Sequence, residues 1–200
     1  MTAPDEIRAA LSRPYRHGAH TSFAGITCDG PLDLSGFVLS GVDFSGAHFP
    51  DGVDASGAQF IGLSWFTGAR FAGDARFSGA TFGSDARFEE AQFDGQADFS
   101  ATDFRGIARF DRARFAQGVT MPGVTCNGNL SFEGARVEGA ALLSEGECMG
   151  GLWLDHVALP PETRFDGTQV HGRLWLRGGQ IGNRAIRAED FDLAYGYVWT

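Results

Sequence analysis

The segment 69–115, "ARFAGDARFSGATFGSDARFEEAQFDGQADFSATDFRGIARFDRARF", places a phenylalanine every five or six residues, nearly always with an alanine two positions earlier. The same beat runs outward in both directions. If the Phe-like residue of each unit is its centre, thirty centres run from Phe23 to Ile181. From Phe49 onward the spacing alternates strictly between six and five, so four units make 22 residues. The longer period is visible directly, because "RLWL" at 173–176 repeats "GLWL" at 151–154 one period later.

Neither a helix nor a flat strand explains this spacing. A period of 3.6 would carry successive rings around a cylinder, and a period of two would demand apolar residues at alternate positions throughout. An 11-residue repeat is also compatible with a right-handed coiled coil. Twenty of the 29 glycines, however, lie two places after a centre. Inside a helix each would cost about 1 kcal/mol. Glycine at a fixed offset marks a turn instead.

Units of small residue, polar residue, Leu or Phe, polar residue and Gly resemble the pentapeptide-repeat family. "DLSGFVLSGVDFSGAHF" at 33–49 resembles its plain five-residue form, and the later part its Phe-rich variant with an extra residue in alternate units. The resemblance covers about residues 21–183 and implies an all-β fold, a right-handed quadrilateral parallel β-helix with its centres pointing inward. Thirty units then make seven and a half coils, a rod roughly 36 Å long at a strand spacing of about 4.8 Å.

The 22-residue period sorts the centres into four columns, one per wall. The first holds Phe23, Phe44, Phe66, Phe88, Phe110, Phe132, Leu154 and Leu176. The second holds Cys28, Phe49, Phe71, Phe93, Phe115, Val137, Leu159 and Ile181. Leu34, Ala55, Phe77, Phe99, Met121, Leu143 and Phe165 form the third, and Leu39, Phe60, Phe82, Phe104, Cys126, Cys148 and Val170 the fourth. Sixteen of the 18 phenylalanines are centres, so the rings line a tube in which the alanines leave them room.

The ends break the pattern and divide the chain into a lead-in (1–21), the repeat (22–184) and a tail (185–200). Thr2 with Asp5 three residues later, Ile7 and Leu11 on one face and Pro14 as a stop predict a short helix over 3–13 that covers the first coil. In the tail, Arg187 and Asp192 fall where centres belong, and the aromatic "EDFDLAYGYVWT" follows. A naked end of stacked strands invites pairing. Phe191, Leu193, Tyr195, Tyr197, Val198 and Trp199 therefore either cap the last coil or join two rods as a homodimer.

Composition narrows the function. Two hundred residues suffice for one core without disulfides or metals. A net charge of −9, with every basic residue outside histidine an arginine, argues against direct binding to nucleic acid or to an anionic membrane surface. The early acids Asp5 and Glu6, the lack of an apolar leader or span, and an odd three cysteines point to a reducing, cytoplasmic setting. Cys28, Cys126 and Cys148 all occupy centres and are expected to be buried, with raised thiol pKa values. Cys126 and Cys148 neighbour each other in one column, but in-register parallel side chains meet poorly for a disulfide.

No catalytic, cofactor-binding or metal-binding motif appears, and an enzyme is the least favoured class. The columns separate His156 from His171, so no dyad assembles. If there is an active site, it is the outer wall near Trp153, Asp155 and His156. More informative is the first wall's outer surface. Glu89, Asp111, Glu133 and Asp155 follow successive centres as a carboxylate ladder, in which Arg87 and Arg109 serve the upper half while Glu133 and Asp155 lack such partners. Trp65, Trp153 and Trp175 precede centres on the same wall, and Trp153 and Trp175 form an aromatic patch suited to a protein interface or to contact with the tail.

Charge varies along the rod. Residues 17–69 contain Asp29, Asp33, Asp43, Asp51 and Asp54 and no Lys or Arg, whereas 163–187 carry Arg164, Arg173, Arg177, Arg184 and Arg187 against a single acid. The resemblance implies, in its best understood branch, a protein that imitates duplex DNA and binds DNA gyrase, with drug resistance or self-protection as the outcome. The neutral middle and basic last coils depart from a uniform polyanion. The sequence thus supports a non-enzymatic protein-binding rod, either a gyrase-directed DNA mimic or a general interaction scaffold.

Overall fold

The computed structural model describes residues 1–14, 16 and 18–200. Four parallel sheets stack into a β-solenoid of about eight turns, preceded by one short helix. Successive strands of each sheet come from positions one period apart, as in Ala86↔Ala108 and Arg87↔Arg109 on the first wall. Most strands are only two residues long, since each wall is one side of a square coil and the chain must turn after it.

The columns are as read. Phe88 stacks on Phe66 at 4.7 Å and on Phe110 at 4.9 Å, with planes within 6° of parallel. Rings of different columns meet edge to face across the tube, as Phe88 does with Phe99 at 5.4 Å. Such pairs add to the burial term. Of the thirty centres only Phe23 and Leu143 are less than fully buried. Phe23 lies at the open start of its column. Leu143 borders a cavity of about 30 Å³ beside Met121, Cys148 and Phe165, where the aromatic columns give way to smaller side chains.

The alternation of five and six has a physical origin, because the corners are of two kinds. The shorter spans hold a tight turn whose third residue has positive φ, such as Gly123 at +68° after Met121. Glu90, Ala101, Arg112, Glu145 and His156 occupy equivalent places, so the turn tolerates side chains. The longer spans hold a corner in which backbone lies on backbone. A Cβ on Gly150 would stand 2.4 Å from the Gly128 carbonyl oxygen, so glycine is required there for space.

Both ends differ from expectation in detail. The helix spans Pro4–Leu11, with Ala3 at its N-cap and no side-chain cap. Thr2 cannot begin a capping box because its backbone pairs with the second wall: its N–H donates to Thr27 O (2.9 Å) and its carbonyl accepts from Asp29 N–H (2.9 Å). The helix ends before residue 13 because Ser12 turns its hydroxyl back to the Arg8 carbonyl at 2.7 Å. Ile7 and Leu11 are buried against the first coil, as the shared face predicts.

At the other end the lost register is an insertion. Gln180–Ile181 and Arg184–Ala185 form the one antiparallel pair among the described residues, a 3-10 turn covers Ala188–Asp190, and the tail then returns to the walls. Phe191–Ala194 extends the fourth wall and Val198–Trp199 the first. Asp190 fastens this passage, accepting from the Arg184 guanidinium at 2.8 and 2.9 Å and from Arg187 N–H at 2.9 Å. Partial burial opposes ionisation of Asp190, but these bonds outweigh it and hold its pKa below the ordinary range.

Candidate functional site: the outer walls

Outward positions one residue before each first-wall centre form a row: Asp43, Trp65, Arg87, Arg109, Ser131, Trp153, Trp175 and Trp199 sit on successive strands. Trp153 and Trp175 stack at 6.2 Å, as their spacing predicts, and the tail's Trp199 continues the stack at 5.0 Å from Trp175. The tail's other aromatics divide. Phe191 is buried against Phe165 at 4.5 Å and Leu193 is half-buried, while Tyr195, Tyr197 and Val198 are exposed with Trp199.

The carboxylate ladder is less uniform than its spacing suggests. Glu89 accepts from Arg87 at 3.3 Å as expected, and Arg87 also reaches Asp85 at 3.2 Å. Arg109 does not serve Asp111; among the described residues its guanidinium has no hydrogen bond or ion pair. Asp111 instead accepts from the Ser131 hydroxyl and from Glu133 N–H at 3.3 Å. Asp155, expected to lack a partner, is only 4% exposed. It accepts from Arg177 N–H at 3.0 Å, and its other oxygen lies 3.6 Å from the Arg177 guanidinium. The partner lies one coil further along, directly above Asp155, rather than two residues away on the same strand. Glu133 is exposed, and no cation pairs with it among the described residues.

His156 takes the left-handed turn position after Asp155, with its ring over Gly178. Asp155 is thus committed to Arg177, and no Asp155–His156 hydrogen bond forms. His171 stands on the fourth wall, 3.3 Å from Glu147 and beside Tyr195. The histidines are apart, as the columns require.

The five early aspartates do not share one surface. Asp43 is on the first wall, half-buried and bonded to Ser22 (3.2 Å) and to Ser45 N–H (2.9 Å). Its burial works against the charge, but the serine bonds prevail and lower its pKa. The other four gather elsewhere. Asp29 follows a second-wall centre, Asp33 and Asp54 are register partners on the third wall, and Asp51 joins them at the corner between. Asp33, Asp51 and Asp54 line a cleft of about 180 Å³ that Asp74, beyond the acidic 17–69 stretch, completes, while Asp29 lies outside that lining, one period before Asp51. Among the described residues two cations reach this cluster: Arg76 on Asp74 at 2.8 Å and Arg8 on Asp33 at 3.8 Å. The Ser35 hydroxyl and amide hold the Asp33 carboxyl below the usual range, with Arg8 adding to the effect.

The cysteines are all free and buried. Burial pushes the Cys126 and Cys148 thiols up to about 12 and raises Cys28 as well, where Asp29 and Asp51 add to the shift. Since only the thiolate is reactive, a native sample at pH 8 is expected to leave all three unlabelled by a disulfide dye over minutes. Denatured protein should release three equivalents. One rapid equivalent from native protein would place a cysteine outside the tube.

No group of three or more His, Cys, Asp or Glu side chains fit to hold a metal ion occurs among the described residues, and no described helix is long and apolar enough to cross a membrane.

A rod of four short-stranded parallel walls, closed inside by stacked rings and offering only its outer surfaces, is a β-solenoid built for surface contact. The family described as "Pentapeptide repeats (9 copies)" matches residues 60–103 and 88–136, and the same rungs continue to either side. Over residues 60–136 the chain therefore carries the pentapeptide repeats of this family. A search of curated proteins finds no match. The fold supports a role as a protein-interaction scaffold.

Proposed function

We propose that this chain is a non-enzymatic protein-binding rod whose acidic corner engages a topoisomerase of the DNA gyrase type in place of duplex DNA. The supporting observation is the gathering of Asp33, Asp51, Asp54 and Asp74 around one cleft near the start of the rod, with Asp29 one period before Asp51; among the described residues only Arg8 and Arg76 pair with this group. A surface of like charges is a steering field for a basic groove, and its attraction falls as salt screens it. The Trp153–Trp175–Trp199 stack supplies an apolar anchor on the first wall. Titrating the protein into a gyrase supercoiling reaction at low and high salt tests this reading. Inhibition should weaken several-fold as salt rises and on replacing Asp29, Asp33, Asp51 and Asp54 by Asn. Supercoiling unaffected by excess protein would remove gyrase as the partner and leave the general scaffold.

The exposure of Tyr195 (70%) and Tyr197 (80%) beside the last strands favours a second contact, a homodimer through the tail. Sedimentation equilibrium should then give twice the chain mass, reverting to one chain in a Tyr197→Glu variant. A single-chain mass for the unaltered protein at high concentration contradicts it.

A further inference from the structure

The first-wall row contains a gap. Trp199, Trp175 and Trp153 stack one above another on successive strands, and the next position is Ser131, followed by Arg109. Ser131 is nearly buried, because its short side chain lies at the floor between longer neighbours and its hydroxyl is turned to Asp111. One rung of the aromatic column is therefore missing. What stands there is a cleft of about 230 Å³ lined by Trp153, Arg109, Asn129, Ser131, Asp111 and Glu133.

The dimensions suit a ring. Trp153 and Arg109 are two strand spacings apart, roughly 9.6 Å. Rings already stacked in this column lie 5.0 and 6.2 Å apart. A planar group on the vacant rung would have an indole on one side and a guanidinium on the other, the arrangement of a stacking contact combined with a cation–π contact. Arg109 is uncommitted among the described residues, so turning it onto a ring breaks no ion pair. The rim decides the charge. Asp111 and Glu133 outnumber Arg109, and Glu133 is exposed without a cation.

We infer that the Ser131 gap is a binding slot for a tryptophan or tyrosine side chain of a partner protein, flanked in that partner by a lysine or arginine that Glu133 receives. This deepens, and rests on, the reading of the walls as protein-binding surfaces. It also gives the first wall's carboxylate ladder a specificity that charge alone does not supply, since a basic surface without a suitably placed ring would leave the slot empty.

N-acetyl-Lys-Trp-amide, N-acetyl-Glu-Trp-amide, N-acetyl-Lys-Ala-amide and free indole test it by titration calorimetry, with the indole N–H resonances of the protein followed in parallel. The Lys-Trp peptide should bind at least tenfold more tightly than the Lys-Ala and Glu-Trp peptides and shift the Trp153 signal most. S131W fills the rung with the protein's own ring and should abolish binding. W153A should weaken it at least tenfold, and settles the matter if S131W fails to fold. E133Q should narrow the preference for Lys-Trp over Glu-Trp while ring-dependent binding remains. Equal binding of Lys-Ala and Lys-Trp, or unchanged binding by W153A, overturns the slot. Free indole matching the Lys-Trp peptide overturns the protein partner in favour of a small-molecule site. None of these outcomes depends on gyrase, so a failed slot and a failed gyrase reading are told apart.

Discussion

Phe88→Ala is expected to destabilise the solenoid by about 3–5 kcal/mol, the usual range for ring-to-methyl changes in protein cores. The ring is fully buried. It stacks on Phe66 and Phe110 and meets Phe77, Phe82 and Phe99 edge-on at 5.5, 6.0 and 5.4 Å. The cost of such a change depends on whether neighbours can close the void, and here each neighbour is fixed by a ladder of backbone bonds to the coils above and below. Arg109 O, for instance, accepts from Phe88 N–H at 2.7 Å. Collapse would have to break the ladder. Phe23→Ala removes a half-buried ring with one stacking partner, Phe44 at 5.6 Å, and should cost only about 1–2 kcal/mol. Denaturant unfolding of both variants measures the difference. Equal losses would mean that the central stack is not a continuous core.

Gly150→Ala should be at least as damaging, for a reason that propensity does not supply. Its φ is not positive, so alanine is acceptable to the local backbone, but the added methyl would stand 2.4 Å from Gly128 O and 2.5 Å from Gly128 C. The obstacle is main chain of the coil below, which cannot rotate aside. Gly128 is as close, and Gly172 and Gly196 closer still, to the corner beneath them, so relief at one level is passed to the next. A loss of more than about 3 kcal/mol, or failure to fold, is the expected result, in the range of severe overpacking. Gly123→Ala is the informative control. Its Cβ meets nothing within 4 Å, and only its φ of +68° opposes a side chain, a strain of about 1–2 kcal/mol. Thermal or denaturant melts should rank the variants clearly, with Gly150→Ala far below Gly123→Ala. The reverse order would show that backbone conformation, not coil spacing, sets the glycine requirement.

What could be read beforehand follows from what repeats. Each centre has the same neighbours at the same offset, so spacing alone assigned Phe88 to the column of Phe66 and Phe110. The burial of Cys126 and Cys148 followed from the same count. Contacts across coils were harder to see, because an outward side chain has several neighbours within reach and nothing periodic selects one. Asp155 illustrates this: its own strand offers no cation, and its partner Arg177 stands one period later, directly above. The Ser131 gap was visible in principle as a small residue in a row of Trp and Arg, yet it becomes a site only when Arg109 is found to be unpaired. At the ends no period exists. Thr2 joined the second wall instead of capping the helix, and the tail re-entered the fourth and first walls after an insertion that the count had no means of measuring.

The register of 22 residues supports every wall assignment and both binding proposals. Ring-to-ring nuclear Overhauser effects in protein labelled selectively at phenylalanine test it most directly. Phe88 should show contacts to Phe66 and Phe110, whose ring centroids lie 4.7 and 4.9 Å away. Absence of both contacts, with Phe88 instead near rings at other offsets only, would contradict the stacked columns.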